Sequence, residues 1–322
     1  MHCWRRILTA NRTKRNVVSF LISNTAKPRN KVMKDHSSIT RFLFDNHGVR
    51  GEILRLDEPC AQLLKGKNYP KCVRTMMSEL AASAVLFAAT LKDGSEVMVQ
   101  IRGGEKSPIK YALVNIRGDL SFYGSAQLKE DTPCPDDLSF DKLTGKDSVL
   151  VLTIFPADDP KNKWQGIVAV DPKSIAATLD GYFKNSQQLP TTFFIWSDDE
   201  NQSSAGIMLQ VIPEITGNQE SLEHLSILTS TMTAKEILTL PPTECLGRLF
   251  AHEQVRVFPS KVPSFRCICS RERCEKALSS LAPSALDSLI ADHGTSMTCQ
   301  HCGHTYIFNQ QDLEELRAKN NQ

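Results

Sequence analysis

The fold class this sequence predicts is α+β: a mixed core domain with an antiparallel-rich sheet, then a helical linker, then a small C-terminal zinc-binding domain. Three observations carry it. Residues 95–213 hold six β-rich runs bounded by Gly, Pro or Asp: SEVMVQIRGG, IKYALVNIRG, VLVLTIFP, WQGIVAVDP, TTFFIWSDD and GIMLQVIPE. Apolar residues at helical spacing precede these runs and follow them. Five of the ten cysteines crowd between Cys267 and Cys302, in two close pairs and one single. The predicted division is a basic N-terminal extension over 1–34, the core over 35–213, a metastable helical linker over 214–265 and the metal-binding domain over 266–322.

Residues 1–34 contain nine Lys or Arg and no acid. Two readings compete for them: an organellar transit peptide, or translation that truly begins at Met33, which is preferred. A basic arm for nucleic acid is the weaker third. Residues 38–46 (SITRFLFDN) are expected as a short helix or turn leading into GVRGEILRL, a strand. A helical hairpin follows: Cys60 to Lys67, a break at Asn68-Tyr69-Pro70, then residues 71–91, where Pro70 pre-sets the start. The small residues Ala81, Ala82, Ala84, Ala88 and Ala89 let this helix lie close against a sheet. One more helix, about Ser174 to Lys184, interrupts the strand region, and Trp164 and Trp196 are expected in or beside the core. Cys60, Cys72, Cys134 and Cys245 are scattered and are read as unpaired.

In the linker, Leu222, Leu225, Leu228 and Met232 share one helical face. The opposite face is assigned Ser226, Thr229, Ser230 and Thr231, which are mediocre helix formers. Thr233-Ala-Lys-Glu236 has the form of a capping box, Pro241-Pro242 stops the pattern, and a short helix near Thr243 to Ala251 follows. An amphipathic stripe on a weak helix suits either a docked connector or a segment whose folding depends on its neighbours.

Composition narrows the function. The net charge is +2, but beyond residue 34 the chain carries 29 basic and 36 acidic residues, a balance of −7 that speaks against a nucleic-acid-binding protein. The longest apolar run, Leu80 to Leu91, is twelve residues, too short for the roughly 20 of a membrane span. Ten cysteines without a hydrophobic secretory signal fit a reducing compartment, which makes the cytoplasm the expected location. The motifs of a P-loop, a dinucleotide fold or a catalytic Ser/His/Asp set are absent, so no enzyme is expected.

The chemistry lies in FRCICSRERCEK and MTCQHCGHTYIF. Cys267 and Cys269 form a C-x-C pair, Cys299 and Cys302 a C-x-x-C pair, with 29 residues between. Side chains two apart on an extended segment point the same way. Gly303 after the second pair allows the tight turn of a zinc knuckle. Four thiolates in two such pairs suit one closed, tetrahedral, structural Zn²⁺. His301 and His304 are alternative ligands, and Cys274 reads as a spare thiol. A C-x-C disulfide closes under strain and is therefore reversible. Arg266, Arg271, Arg273 and Lys276 surround the pair with positive charge, which favours thiolates.

CICSRERC followed by a C-x-x-C-G knuckle resembles the C-terminal signature of the 33-kilodalton heat-shock protein family, the redox-regulated holdase chaperones. GVRGEILRL, WQGIVAV, YFKNSQQLPT, MLQVIP and LTLPPTECLGRLF fit the same family, so the resemblance spans about residues 36 to 310. It implies an ATP-independent chaperone, zinc-bound and inactive when reduced. On oxidation it forms Cys267–Cys269 and Cys299–Cys302 disulfides, releases zinc, partly unfolds, dimerises and binds unfolding client proteins. Two other function classes share parts of the pattern. A zinc-ribbon nucleic-acid binder would show salt-dependent binding when reduced. A thiol–disulfide oxidoreductase would turn over a dithiol substrate, and its C-x-x-C would open a helix rather than precede the strand-like His304 to Phe308.

Overall fold

The computed structural model describes residues 4–6, 36–91, 94–187, 189–212 and 218–320. The expectations for the N-terminal extension fall outside these residues, Trp4–Arg6 excepted. The backbone divides into two compact units, one of residues 35–267 and one of residues 1–34 with 268–322.

The larger unit has two sheets. The first is antiparallel, with strand order β11-β2-β3-β10-β9, built from Ser38–Phe44 (β2), Val49–Leu56 (β3), Thr191–Asp198 (β9), Ser203–Val211 (β10) and Val255–Val257 (β11). The second has the order β12-β6-β5-β4-β7-β8, from Glu96–Arg102 (β4), Ile109–Ile116 (β5), Ser121–Leu128 (β6), Val149–Phe155 (β7), Trp164–Ala169 (β8) and Ser264–Phe265 (β12). All its pairings are antiparallel except β12 on β6. Helices α1 (Glu58–Leu64) and α2 (Lys71–Ala88) supply the apolar layer to which both sheets turn a face. Helix α2 is smooth because alanines 81, 82 and 84 are fully buried along it. Helix α3 is Phe140–Thr144, and α4 is Ile175–Tyr182, which starts where the Ser174 hydroxyl accepts the Ala177 N–H.

Residues 38–44 are a strand, not the expected helix or turn. The β-branched and aromatic residues Ile39, Thr40, Phe42 and Phe44 are buried in an alternation that feeds both faces of the sheet. Phe42 sits opposite Gly51, and a Cβ at 51 would lie 2.2 Å from its ring, so the ring needs the glycine. β6 is a further strand that its small polar residues conceal in the sequence. Trp164 lies on the outermost strand, 40 % exposed with its ring against Tyr182, whereas Trp196 is half-buried and stacked on Phe194.

The second face of the first sheet is covered by α5 (Asn218–Ser230), α6 (Ala234–Thr239) and α7 (Pro242–Leu249). Leu222, Leu225, Met232, Ile237, Leu246, Leu249 and Phe250 pack there on Phe42, Phe44, Ile53, Ile207 and Leu209. Thr233 and Glu236 form the capping box of α6. Two assignments on the opposite face change. Thr229 is fully buried, its hydroxyl donating to the Leu225 carbonyl at 2.8 Å, and Thr231 lies one residue past the end of α5. Nor is residues 214–265 purely helical, since β11 extends one sheet and β12 the other.

The smaller unit is a sheet of Trp4–Arg6 (β1), Gly294–Cys299 (β13) and Thr305–Asn309 (β14), with helices α8 (Arg271–Ser279), α9 (Pro283–Ala291) and α10 (Gln310–Asn320). Among the described residues its core is seven buried side chains: Cys274, Leu278, Leu286, Leu289, Phe308, Leu313 and Leu316.

Candidate metal centre

The sequence builds this site from a hairpin and a helix start. Strands β13 and β14 pair from Gly294↔Asn309 to Thr298↔Thr305, which brings the C-x-x-C pair to the connecting turn. The turn is closed by two backbone bonds of 2.9 Å, from the Cys299 N–H to the His304 carbonyl and from the Gly303 N–H to the Cys299 carbonyl. Gly303 adopts φ +73°, the left-handed region that a side chain disfavours. The C-x-C pair arrives from the other side. After Phe265 on β12 the chain runs through Cys267 to Cys269, and Ser270 caps α8 by accepting the Arg273 N–H.

The sulfurs of Cys267, Cys269, Cys299 and Cys302 all lie within 4.8 Å of one another, and Cys269 and Cys302 approach to 3.4 Å. Among the described residues this is the one group of three or more His, Cys, Asp or Glu able to share a metal ion. A tetrahedral ion with metal–sulfur bonds of about 2.3 Å sets its sulfurs roughly 3.8 Å apart, so the donor set fits such an ion with little adjustment. Cys299 is buried and the other three are partly exposed. A closed thiolate set within reach of solvent can hold a soft or borderline metal and can also be oxidised.

His301 and His304 stand outside the group. His301 is buried, and His304 packs its ring edge-on against Tyr306 with centroids 4.5 Å apart. Cys274 is fully buried in the core of the unit rather than in the cluster, and burial, then the neighbouring Cys269 and Cys299, pushes its thiol up to about 11. Of the basic residues flanking the C-x-C pair, Arg271 is engaged elsewhere. It pairs with Asp312 at 2.9 Å and Glu275 at 3.3 Å, donates to the Ile307 carbonyl and lies over the Phe308 ring. Arg266 reaches Asp119 at 3.7 Å across an exposed surface.

One contact escaped the reading of the sequence. The Tyr306 hydroxyl donates to Cys269 Sγ at 3.4 Å, and this bond, ahead of burial, raises the phenol well above its ordinary value. Strand parity is the signal that finds it, because residues 306 and 308 turn inward while Ile307 is 70 % exposed. A hydrogen bond to a ligand sulfur orients the ligand and tempers its charge.

Similarity to known proteins extends along nearly the whole chain. Residues 37–309 match the family described as Hsp33 protein. The chain is 37 % identical over 288 residues to a "33 kDa chaperonin" of Salmonella typhi, covering 88 % of this chain and 96 % of that one. Its identity to the "33 kDa chaperonin" of Escherichia coli strain K12 / DH10B is also 37 %, with the same coverage. A crystal structure of the Thermotoga maritima 33 kDa chaperonin, a heat shock protein 33 homolog, superposes with a TM-score of 0.74 at 21 % identity, covering 89 % of this chain and 99 % of that one, which establishes the common fold. With these matches spanning both the sheet core and the four-cysteine cluster, the chain belongs to the Hsp33 family.

Proposed function

We propose that this protein is an ATP-independent holdase chaperone switched by oxidation of its cysteine cluster. The observation that carries the reading is the meeting of four thiols within 4.8 Å, in a chain whose relatives are named 33 kDa chaperonin. In the reduced state Cys267, Cys269, Cys299 and Cys302 hold one Zn²⁺. Bound there, the ion supplies folding free energy, on the order of 10–16 kcal/mol in comparable small modules. The dependence on it is steep because the described core of the unit around it is small, seven buried side chains.

Oxidation takes two electrons from each neighbouring pair. The resemblance assigns the bonds as Cys267–Cys269 and Cys299–Cys302, and a sulfur in a disulfide no longer donates as a thiolate. The knuckle at Gly303 and the Tyr306–Cys269 bond then lose their partners, and residues 266–322 loosen. The chain on the N-terminal side of Cys267 is the end of the 214–265 segment, whose helices cover Phe42, Phe44, Ile53, Ile207 and Leu209. Release of that cover bares an apolar sheet face and an apolar helix stripe, the kind of surface that holds unfolding chains. The protein acts stoichiometrically, with no catalytic residue, dimerises in the oxidised state and works in the cytoplasm. No described helix is long and apolar enough to cross a membrane.

The test is zinc content and suppression of client aggregation, measured on the same sample before and after peroxide. The expected result is one zinc and little protection when reduced, and no zinc with strong protection when oxidised. Equal protection by the reduced, zinc-bound form would remove the switch from the reading.

A further inference from the structure

A second pair of thiols lies far from the four-cysteine cluster in sequence. Cys72 is the second residue of α2, and Cys134 sits in the loop after β6. Their sulfurs are 3.7 Å apart although 62 positions separate them in the chain. Both are free thiols, Cys72 nearly buried and Cys134 partly exposed. We propose that Cys72 and Cys134 are a metal-free redox couple, which a peroxide closes to an intramolecular disulfide and a dithiol reopens.

The loop carrying Cys134 is already fastened to the start of α2. The Lys71 N–H donates to Asp136 Oδ1 at 2.7 Å and the Cys72 N–H to the Asp136 carbonyl at 3.2 Å. The Cys72 thiol donates to the Pro135 carbonyl, also at 3.2 Å. These bonds hold the two sulfurs in contact without joining them. Bonding at about 2.05 Å needs the sulfurs to approach by roughly 1.7 Å, a movement within the scope of a loop that belongs to no helix or strand. Access is provided as well. A cleft of about 350 Å³ opens beside Cys72, lined also by Thr75, Met76, Glu79, Asp136 and Lys173.

The two thiols have different parts. Burial, and then the hydrogen bond and charge of Cys72, push the Cys134 thiol up to about 12. Cys72 lines the cleft and Cys134 does not, so Cys72 meets the oxidant first. The Cys72 sulfur gives up its proton and attacks one peroxide oxygen, the O–O bond breaks, and Cys72 becomes a sulfenic acid while the other oxygen takes that proton and leaves as water. Cys134 sulfur then attacks Cys72 sulfur, the S–O bond breaks, and the hydroxyl leaves with the Cys134 proton as a second water. Two thiols and one hydrogen peroxide give one disulfide and two waters. The product pins the 129–138 loop to the helix, whereas oxidation of the four-cysteine cluster removes a constraint.

The experiment uses the full, zinc-loaded chain. It is treated with limiting hydrogen peroxide, quenched in acid, alkylated and digested with trypsin, while zinc release is followed in parallel. The expected product joins the peptide Cys72–Arg74 to the peptide Glu130–Lys142, two hydrogens lighter than their sum. It appears in monomeric protein at unchanged zinc content and disappears with dithiothreitol. In a Cys134→Ser variant, dimedone is expected to label Cys72 as the trapped sulfenic acid. The proposal is overturned if both thiols are still alkylated once the four clustered cysteines are fully oxidised. It is equally overturned if the crosslink joins two chains, or forms only after zinc has left, since either result marks random pairing of unfolded protein.

Discussion

Leu225→Ala tests whether the cover over the first sheet is the element that gates exposure. Leu225 is fully buried in the cluster formed by α5–α7 and the sheet face. Truncating such a leucine removes three carbons from a packed site and costs about 3 kcal/mol, within the usual range for buried Leu→Ala changes. The loss falls on the docked arrangement, because an undocked α5 leaves residue 225 in water in either protein. At about 1.4 kcal/mol per decade, the undocked population rises on the order of a hundredfold. The measurement is hydrogen exchange over residues 218–232 beside light scattering of a heat-unfolded client, at rising temperature with fixed peroxide. Exchange of α5 should accelerate by about that factor, and protection of the client should begin at a lower temperature than in the parent. Faster exchange in α5 with an unchanged onset of protection would refute the argument, since the gate would then lie elsewhere. Loss of exchange protection throughout 35–267 would show instead that α5 is an integral part of the fold and does not open by itself.

Other changes probe separate parts. Ser226→Ala removes a buried hydroxyl that has no hydrogen-bond partner and raises helix propensity by roughly 0.5 kcal/mol, so activation should slow at unchanged zinc affinity, read from client protection against time. Cys299→Ser should strip zinc from the reduced protein, while Cys274→Ser should keep one zinc per chain and lower the melting temperature of residues 268–322 through a polar atom placed in their core. Burial raises the Asp180 carboxyl to about 7, although it accepts the Phe193 N–H at 2.8 Å. Its folded value thus exceeds its unfolded one, so its contribution is complete below about pH 4 and is lost as pH rises through about 7. Asp180→Asn should flatten that part of the pH dependence of melting. A chain beginning at Met33 should keep the melting temperature of residues 35–267, because the described part of the segment it lacks pairs only with β13. A lowered value would mean that residues 1–32 brace the core.

Legibility followed the length of each signal. The six long strands and the helix at 71–88 are readable because each repeats its period several times. SITRFLF resisted, since seven residues fit a helix or a strand about equally well. What decides is the partner Val49–Leu56 and the Phe42 ring seated on Gly51, both tertiary facts. β6 hides because Ser121 and Ser125 are buried where apolar residues are expected. Strands of two and three residues at 264–265 and 255–257 carry no period at all. In the candidate site the C-x-C at 267–269 and the C-x-x-C at 299–302 are local motifs visible in the sequence, and their meeting within 4.8 Å is a tertiary fact. The approach of Cys72 to Cys134 arises only when α2 and the loop after β6 are brought together, and no local pattern announces it.

The strand that closes the first sheet bears on how a client would be held under the proposed switch. β2 has β3 on one side, and on the other only the stretch from Val255 to Lys261, which bonds it through Ile39, Arg41 and the β11 pairing at Phe42–Phe44. The border of the second sheet is guarded differently. There Tyr69 Oη both accepts the Ala126 N–H and donates to the Ala126 carbonyl, and Lys67 donates to the Gly124 carbonyl, all from the connection between α1 and α2. Were residues 255–261 to leave β2, as the proposed switch requires, β2 would offer a row of vacant peptide groups while β6 stayed largely sealed. A raw strand border accepts any extended chain, because main-chain pairing is blind to side-chain identity. The displaced segment and a client compete for the same rung of the ladder, so re-pairing of 255–261 with β2 would itself be the step that evicts the client.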